Sequence, residues 1–248
     1  AARQGSHSHH LPQVRLQSGE ALLTAMNILP FPCLRPAENH VIEVLSQPLD
    51  VLASADIVAQ AQEAGILLKD ARPSYYLYES TASNGARQTA LVGICAVEAL
   101  SCDVAQDVES APSGASPALQ CVPAPVVYSR QPVLDVILSA AQQGAPLYDL
   151  YDPAGARHRI WHIGRTEAVE AVRTMVQQIP SVTDASSGIL ALMVDHAKTA
   201  RAEAQAADTF TGREPFNYVL LALYPADDSE TAPPAMPLGF LAHQIAKL

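Results

Sequence analysis

Residues 74–97 read SYYLYESTASNGARQTALVGICAV, and they constrain the fold more than any other stretch of the chain. Two runs rich in Tyr, Val, Ile and Thr, Ser74 to Glu79 and Arg87 to Val97, flank the dipeptide Asn84-Gly85. Aromatic and β-branched residues suit a pleated surface, and Asn-Gly accepts positive φ at both central positions of a tight turn. The stretch predicts a β-hairpin, with no helix anywhere within 88–96.

The remaining elements mix helix and strand. Val51 to Ala64 has helical spacing at Leu52, Ile57, Val58 and Ala61, with Gly65 placed to end the helix. Val122 to Tyr128 reads as a strand. Pro132 and Gly144 then bracket a helix whose Val133, Val136, Ile137 and Ala140 share a face. Leu147 to Leu150 and Arg157 to Ile163 are expected strands around the turn Asp152-Pro153-Ala154-Gly155. Val169, Val172, Val176 and Ile179 stripe a helix from about Thr166 to Gln178. Ile189 to Val194 is wholly apolar and predicts a buried strand, followed by an Ala-rich helix over 197–207. Phe216 to Tyr224 reads as a further buried strand. The expected class is α+β (mixed α/β), a mixed sheet with a β-hairpin and helices packed against it.

Apolar residues make up 49% of the chain and charged residues 16%, enough for a substantial core. One mixed domain over 21–248 is expected, after a disordered polar tail at 1–20 and with a long surface loop at about 103–118 (DVAQDVESAPSGASPA). The tail carries His7, His9 and His10 but no apolar leader, so a cytoplasmic location is the expectation. No apolar run is long enough to span a bilayer, and no membrane partner is expected. The net charge of −10 opposes duplex DNA as a partner, because counterion release needs clustered cations. Four cysteines with no CxxC pair suggest neither a disulfide framework nor a structural zinc site. Cys95, within GICAV, is expected to be an inert buried thiol. Tyr75, Tyr76 and Tyr78 are expected in the core rather than stacked on bases.

The most informative junction for chemistry is ILALMVDHAKTAR, residues 189–201. Read as a strand running into a helix, it places Asp195 and His196 where free backbone N–H groups attract an anion. Lys198 in the first turn would reach a phosphate, and Asp195 would serve as a base or magnesium ligand. The competing structural reading makes Asp195 a plain N-cap with His196 and Lys198 in solvent. In RHRIWH, His158 and His162 would share a metal only on a helix. The preceding turn makes the segment a strand, so His158 is expected to be partly buried and hydrogen-bonded, with no metal site. No Walker A, GxGxxG or GxSxG pattern occurs.

Several segments, in order, resemble the bacterial and archaeal family called domain of unknown function 1015. Leu29-Pro30-Phe31-Pro32-Cys33-Leu34-Arg35-Pro36 is similar to the family's opening Pro-Phe-x-x-Leu-Arg-Pro. Pro48-Leu49-Asp50-Val51 resembles its Pro-Tyr-Asp-Val, and Gly65-Ile66-Leu67, Tyr76-Leu77-Tyr78 and Arg87-Gln88-Thr89 follow in register. The strongest likeness is Pro146-Leu147-Tyr148-Asp149-Leu150 through Gly155-Ala156-Arg157-His158-Arg159-Ile160-Trp161. The family's Asp-Gly-His-His-Arg hallmark is represented by Asp195-His196-Ala197-Lys198 alone, without its glycine, and its Lys-x-His-Glu segment is missing after the hairpin.

The family is remotely similar to the ParB/sulfiredoxin-like fold, which includes nucleotide-using free-serine kinases. The resemblance therefore implies a phosphate or nucleotide site, a nucleotide with magnesium as the cofactor to be tested, and polar identities kept at Asp50, His158 and Asp195. With the glutamate and arginine lost, most of a phosphoryl-transfer rate should be lost as well. The expected function is a degenerate phosphate- or nucleotide-type site in a non-catalytic protein that binds a small anionic ligand or a partner. Asp195 is the candidate catalytic residue, and Asp50, His158, Asp195, His196 and Lys198 are the candidate binding residues. A small-molecule phosphotransferase and a structural partner-binding protein with no ligand are the alternatives.

Overall fold

A computed structural model describes residues 22–24, 27–47, 55–100, 123–186, 188–212 and 214–226. The expected tail, the loop at about 103–118 and Asp50 lie outside the described residues. In chain order the elements begin with β1 (Leu22–Thr24), β2 (Ile28–Leu29), β3 (Leu34–Pro36), α1 (Val41–Leu45), α2 (Ala55–Glu63) and β4 (Leu67–Lys69). There follow β5 (Tyr75–Thr81), β6 (Arg87–Ala96), β7 (Ala124–Tyr128), α3 (Pro132–Ala141), β8 (Tyr148–Tyr151) and β9 (Arg157–Ile163). The last are α4 (Thr166–Val176), β10 (Ser181–Asp184), α5 (Ile189–Ala206) and β11 (Tyr218–Pro225). The fold is α+β, as the sequence predicts. No helix among the described residues is long and apolar enough to cross a membrane.

The main sheet runs β1-β10-β7-β11-β6-β5-β9-β8, with β2 pairing onto β6. All of its pairings are antiparallel except β11 with β7. The last described strand in the chain, β11, therefore lies in the middle of the sheet, between β7 and β6. Its composition explains why. Val219, Leu220, Leu221, Ala222 and Leu223 are all at most 2% exposed, the continuous apolar run of a strand covered on both faces.

Two hairpins, β5–β6 and β8–β9, pair through β5 and β9. Both turn on the same kind of loop. The Gly85 N–H donates to the Ala82 carbonyl at 2.8 Å, the Ala82 N–H donates to the Ala86 carbonyl at 2.8 Å, and Asn84 Oδ1 accepts the Ala86 N–H. Asp152 to Ala156 repeats the arrangement, with Asp152 Oδ1 accepting the Ala156 N–H. Gly85 and Gly155 take φ of +86° and +84°, while Asn84 stays at negative φ. The loop is thus a three-residue turn with a glycine bulge, not the two-residue turn with positive φ at both central positions that Asn84-Gly85 predicts.

Tyr75, Tyr76 and Tyr78 are fully buried, as expected. Burial pushes the Cys95 thiol up to about 11, in keeping with an inert core cysteine. A small two-stranded sheet, β3 with β4, packs with α1 and α2 around Leu34, Val44, Val58 and Leu67. Gly65 at φ +72° ends α2, and the Ile66 N–H reaches back to the Ala61 carbonyl, as that glycine predicts. A polar knot ties this unit to the main sheet. Arg35 Nε donates to Asp70 at 3.0 Å, Tyr76 Oη donates to the same carboxylate, and Arg35 Nη1 donates to Tyr148 Oη at 3.3 Å.

Two further expectations fail. Ile189 to Val194 is not a strand but the first part of an eighteen-residue helix, α5. A short apolar run is ambiguous between buried strand and buried helix, and here Leu190, Met193, Val194, Ala197 and Ala200 are buried at helical spacing. Ser186 Oγ accepts the Leu190 N–H at 2.9 Å and holds the first turn. On α3 the buried residues are Leu134 and Leu138, whereas Val133 and Val136 are 60% and 70% exposed. The helix is apolar nearly all round, so its pattern does not select a face. The inward face is the one whose Gln142 reaches the buried Glu79, at 3.1 Å.

Candidate functional site

The expected strand-to-helix site at Asp195 does not exist. Asp195 is the seventh residue of α5, exposed on its outer side, and its neighbours' N–H groups are spent within the helix. Lys198 is also exposed there, and His196 is buried with no hydrogen-bond partner for Nε2. Burial holds the His196 imidazole below its ordinary pKa, against the opposing pull of Glu203 and Asp195. The unfolded chain takes up that proton at about pH 6.5 and the folded chain only at lower pH, so stability is complete above that value and falls as the solution is acidified. Urea midpoints at pH 7 and pH 5 should therefore converge in His196→Leu relative to the parent chain. An unchanged gap would show that other groups set the acid slope.

His158 is buried and doubly partnered, as a strand histidine was expected to be. Nδ1 lies 2.8 Å from Tyr78 Oη and Nε2 lies 3.0 Å from Asp152 Oδ2. Asp152 also holds the turn through Ala156, and its pKa is lowered chiefly by the hydrogen bond from His158. With both ring nitrogens engaged, His158 pins the β8–β9 turn to β5 and leaves no nitrogen for a ligand. No hydrogen bond, ion pair or ring contact joins His158 to Asp195, His196 or Lys198 among the described residues.

A different place in the sheet has the makings of a site. The β6–β11 register ends at Leu91↔Leu223. Beyond it β6 continues back to Arg87 beside β5, while β11 continues on to Pro225 beside β7. The sheet forks between these arms. Pro225 has no N–H with which to extend the ladder. In the fork lies a cleft of about 300 Å³, lined on one side by Arg87, Thr89 and Leu91 and on the other by Tyr128 and Pro225. One face of α3 lies along it, bringing Asp135, Leu138, Ser139 and Gln142, with Arg130 from the β7–α3 connection. The parallel pair β7 and β11 directs both carboxyl ends here, where strand ends in α/β sheets commonly meet ligands.

Charge is arranged in two layers. Deep in the wall Glu79, 1% exposed, accepts from Arg159 Nε at 3.0 Å and from Gln142 Nε2 at 3.1 Å, with Arg87 Nε 3.8 Å away. At the rim Arg87 and Arg130 are 64% and 55% exposed, and Arg130 pairs with Asp135 at 3.1 Å. With Arg159, three cations face two carboxylates among the described residues, so the described part of the cleft carries a net positive charge within an acidic protein. Tyr128, 1% exposed, has a hydroxyl with no hydrogen-bond partner. Burial, helped by Asp135, pushes that phenol up to about 12, so it is a neutral donor.

Sequence reasoning did not single out Arg87, Arg130 or Tyr128 as site residues. The strand, the short connection and Pro132 at the first helical position were legible. That β7 and β11 run in parallel, which turns the connection into one wall of a cleft, was not. No group of three or more metal-ligating side chains occurs among the described residues. No family model, curated protein or solved structure matches this chain.

Proposed function

We propose that this protein is a non-catalytic binder of a small anionic ligand, a divergent relative of the domain of unknown function 1015 family with its ligand site at the fork between β6 and β11. The observation that carries this reading is the pair of exposed arginines, Arg87 and Arg130, at the mouth of a roughly 300 Å³ cleft in a chain of net charge −10. A guanidinium is permanently charged and offers forked donors suited to phosphate or carboxylate oxygens. The family relationship draws support from Arg35 and Tyr148, taken from two of the resembling segments and hydrogen-bonded to each other in the fold. Phosphoryl transfer needs converging charged groups, and His158, Asp195 and Lys198 do not supply them.

Calorimetric titration with inorganic phosphate and with ADP, with and without magnesium, tests the reading. Saturable binding of at least one anion is expected. Affinity should fall tenfold or more in Arg87→Ala/Arg130→Ala and stay within about twofold in Lys198→Ala, given the strength of charge-assisted pairs. Loss of nucleotide binding on Lys198→Ala would instead favour a phosphotransferase site on α5. Absence of saturation by either anion would favour a structural protein with no small ligand.

A further inference from the structure

The cleft's cations say that a ligand is negative; its buried interior says what else the ligand carries. Strand alternation sends Arg87, Thr89 and Leu91 of β6 and Tyr128 of β7 to the side covered by α3. Gln88, whose own Oε1 is buried and unpartnered, also lines the cleft, although alternation places it on the opposite face of the strand. On the α3 side the orphan is Tyr128 Oη. Tyr128 lines the same cleft as Asp135 and Arg130, and its hydroxyl is the buried, unpartnered group of that lining on this side.

A buried hydroxyl without a partner is costly, and phenylalanine would fill the same space without that cost. Thr89 and Ser139 add two more hydroxyls to the lining, while Leu91, Leu138 and Pro225 supply apolar surface. A bare inorganic anion would satisfy the arginines and leave these groups unused. A ligand with a short hydroxylated carbon body would meet both sets.

Resting on the anion-binding reading above, we propose that the fork cleft selects a small hydroxylated organic anion, a phosphate monoester or a free carboxylate of roughly three to six carbons. Arg87 and Arg130 hold the anionic group, and Tyr128 Oη is the specificity-determining contact to a ligand hydroxyl. The hydroxyl exchanges a hydrogen bond with Tyr128, whose O–H donates or whose oxygen accepts. No covalent step is involved.

The test compares glycerol 3-phosphate with inorganic phosphate, and glycerate with propionate, by calorimetry on the full chain. In each pair the hydroxylated anion is expected to bind at least tenfold more tightly. In Tyr128→Phe both ratios should fall to within about twofold of one, because the hydroxylated member of each pair loses its added affinity. Thermal denaturation of Tyr128→Phe should match or exceed the parent, because no partner within the protein is lost. Equal binding of the members of each pair in the parent chain, or ratios that survive Tyr128→Phe, would overturn the selectivity while leaving anion binding intact. Failure of all four probes to bind would overturn both readings.

Discussion

Replacing Arg159 by methionine is expected to lower the unfolding free energy by about 3 kcal/mol. Glu79 is 1% exposed, and Arg159 supplies its closest ion pair through two guanidinium nitrogens. Removing one partner of a buried pair leaves an uncompensated charge and typically costs about 3–5 kcal/mol. The lower end applies because Arg159 is itself 24% exposed and Gln142 still donates to the carboxylate. Arg159→Met/Glu79→Leu should recover most of the loss, since an apolar pair of similar volume replaces the ions. Urea denaturation at pH 7 reads both. A double variant no more stable than Arg159→Met would show that the arginine acts by packing on Trp161, over whose ring it lies at 4.9 Å.

The second large effect concerns α3. Leu134→Ala should cost about 2–5 kcal/mol, as truncation of a fully buried leucine does. Val136→Ser, two residues on and 70% exposed, should stay within about 0.5 kcal/mol. The sequence pattern groups Val133, Val136, Ile137 and Ala140 on one apolar face, and were that face the buried one, Val136→Ser would be the costlier change. If Val136→Ser proves the costlier of the two, the helix is rotated relative to the packing described above.

That reversal shows where the sequence was readable. Elements closed by local chemistry were legible: Asn84-Gly85 and Asp152-Pro153-Ala154-Gly155 both turn hairpins, Gly65 ends α2, and Pro132 opens α3. The α4 stripe of Val169, Val172 and Val176 is buried as its spacing predicts. Readings failed where tertiary context chose between locally equal options. Ile189 to Val194 is apolar without interruption, so periodicity within it cannot separate strand from helix. Extending the window to Ala197 and Ala200 would have exposed the helical spacing. The α3 face is the one that packs Leu134 and Leu138 into the core, with Gln142 just beyond it on Glu79, a residue more than fifty positions earlier whose burial nothing local foretells. The fork depends on a parallel pairing between 124–128 and 221–225, and no local signal encodes it.

The central place of β11 has a consequence for how the chain is made. Strands β5, β6, β8 and β9 find one another across short turns, and their half of the sheet can form early, since local contacts form fastest. Strands β7 and β10 belong to the other half, and among the described strands only β11 pairs with both halves. Until the ribosome has released that segment, β6 and β7 each present an unpaired, largely apolar edge of the kind that recruits other chains. Synthesis thus passes through an interval in which nearly every strand exists but the sheet is in two pieces, and β11 is the keystone that retires both open edges at once.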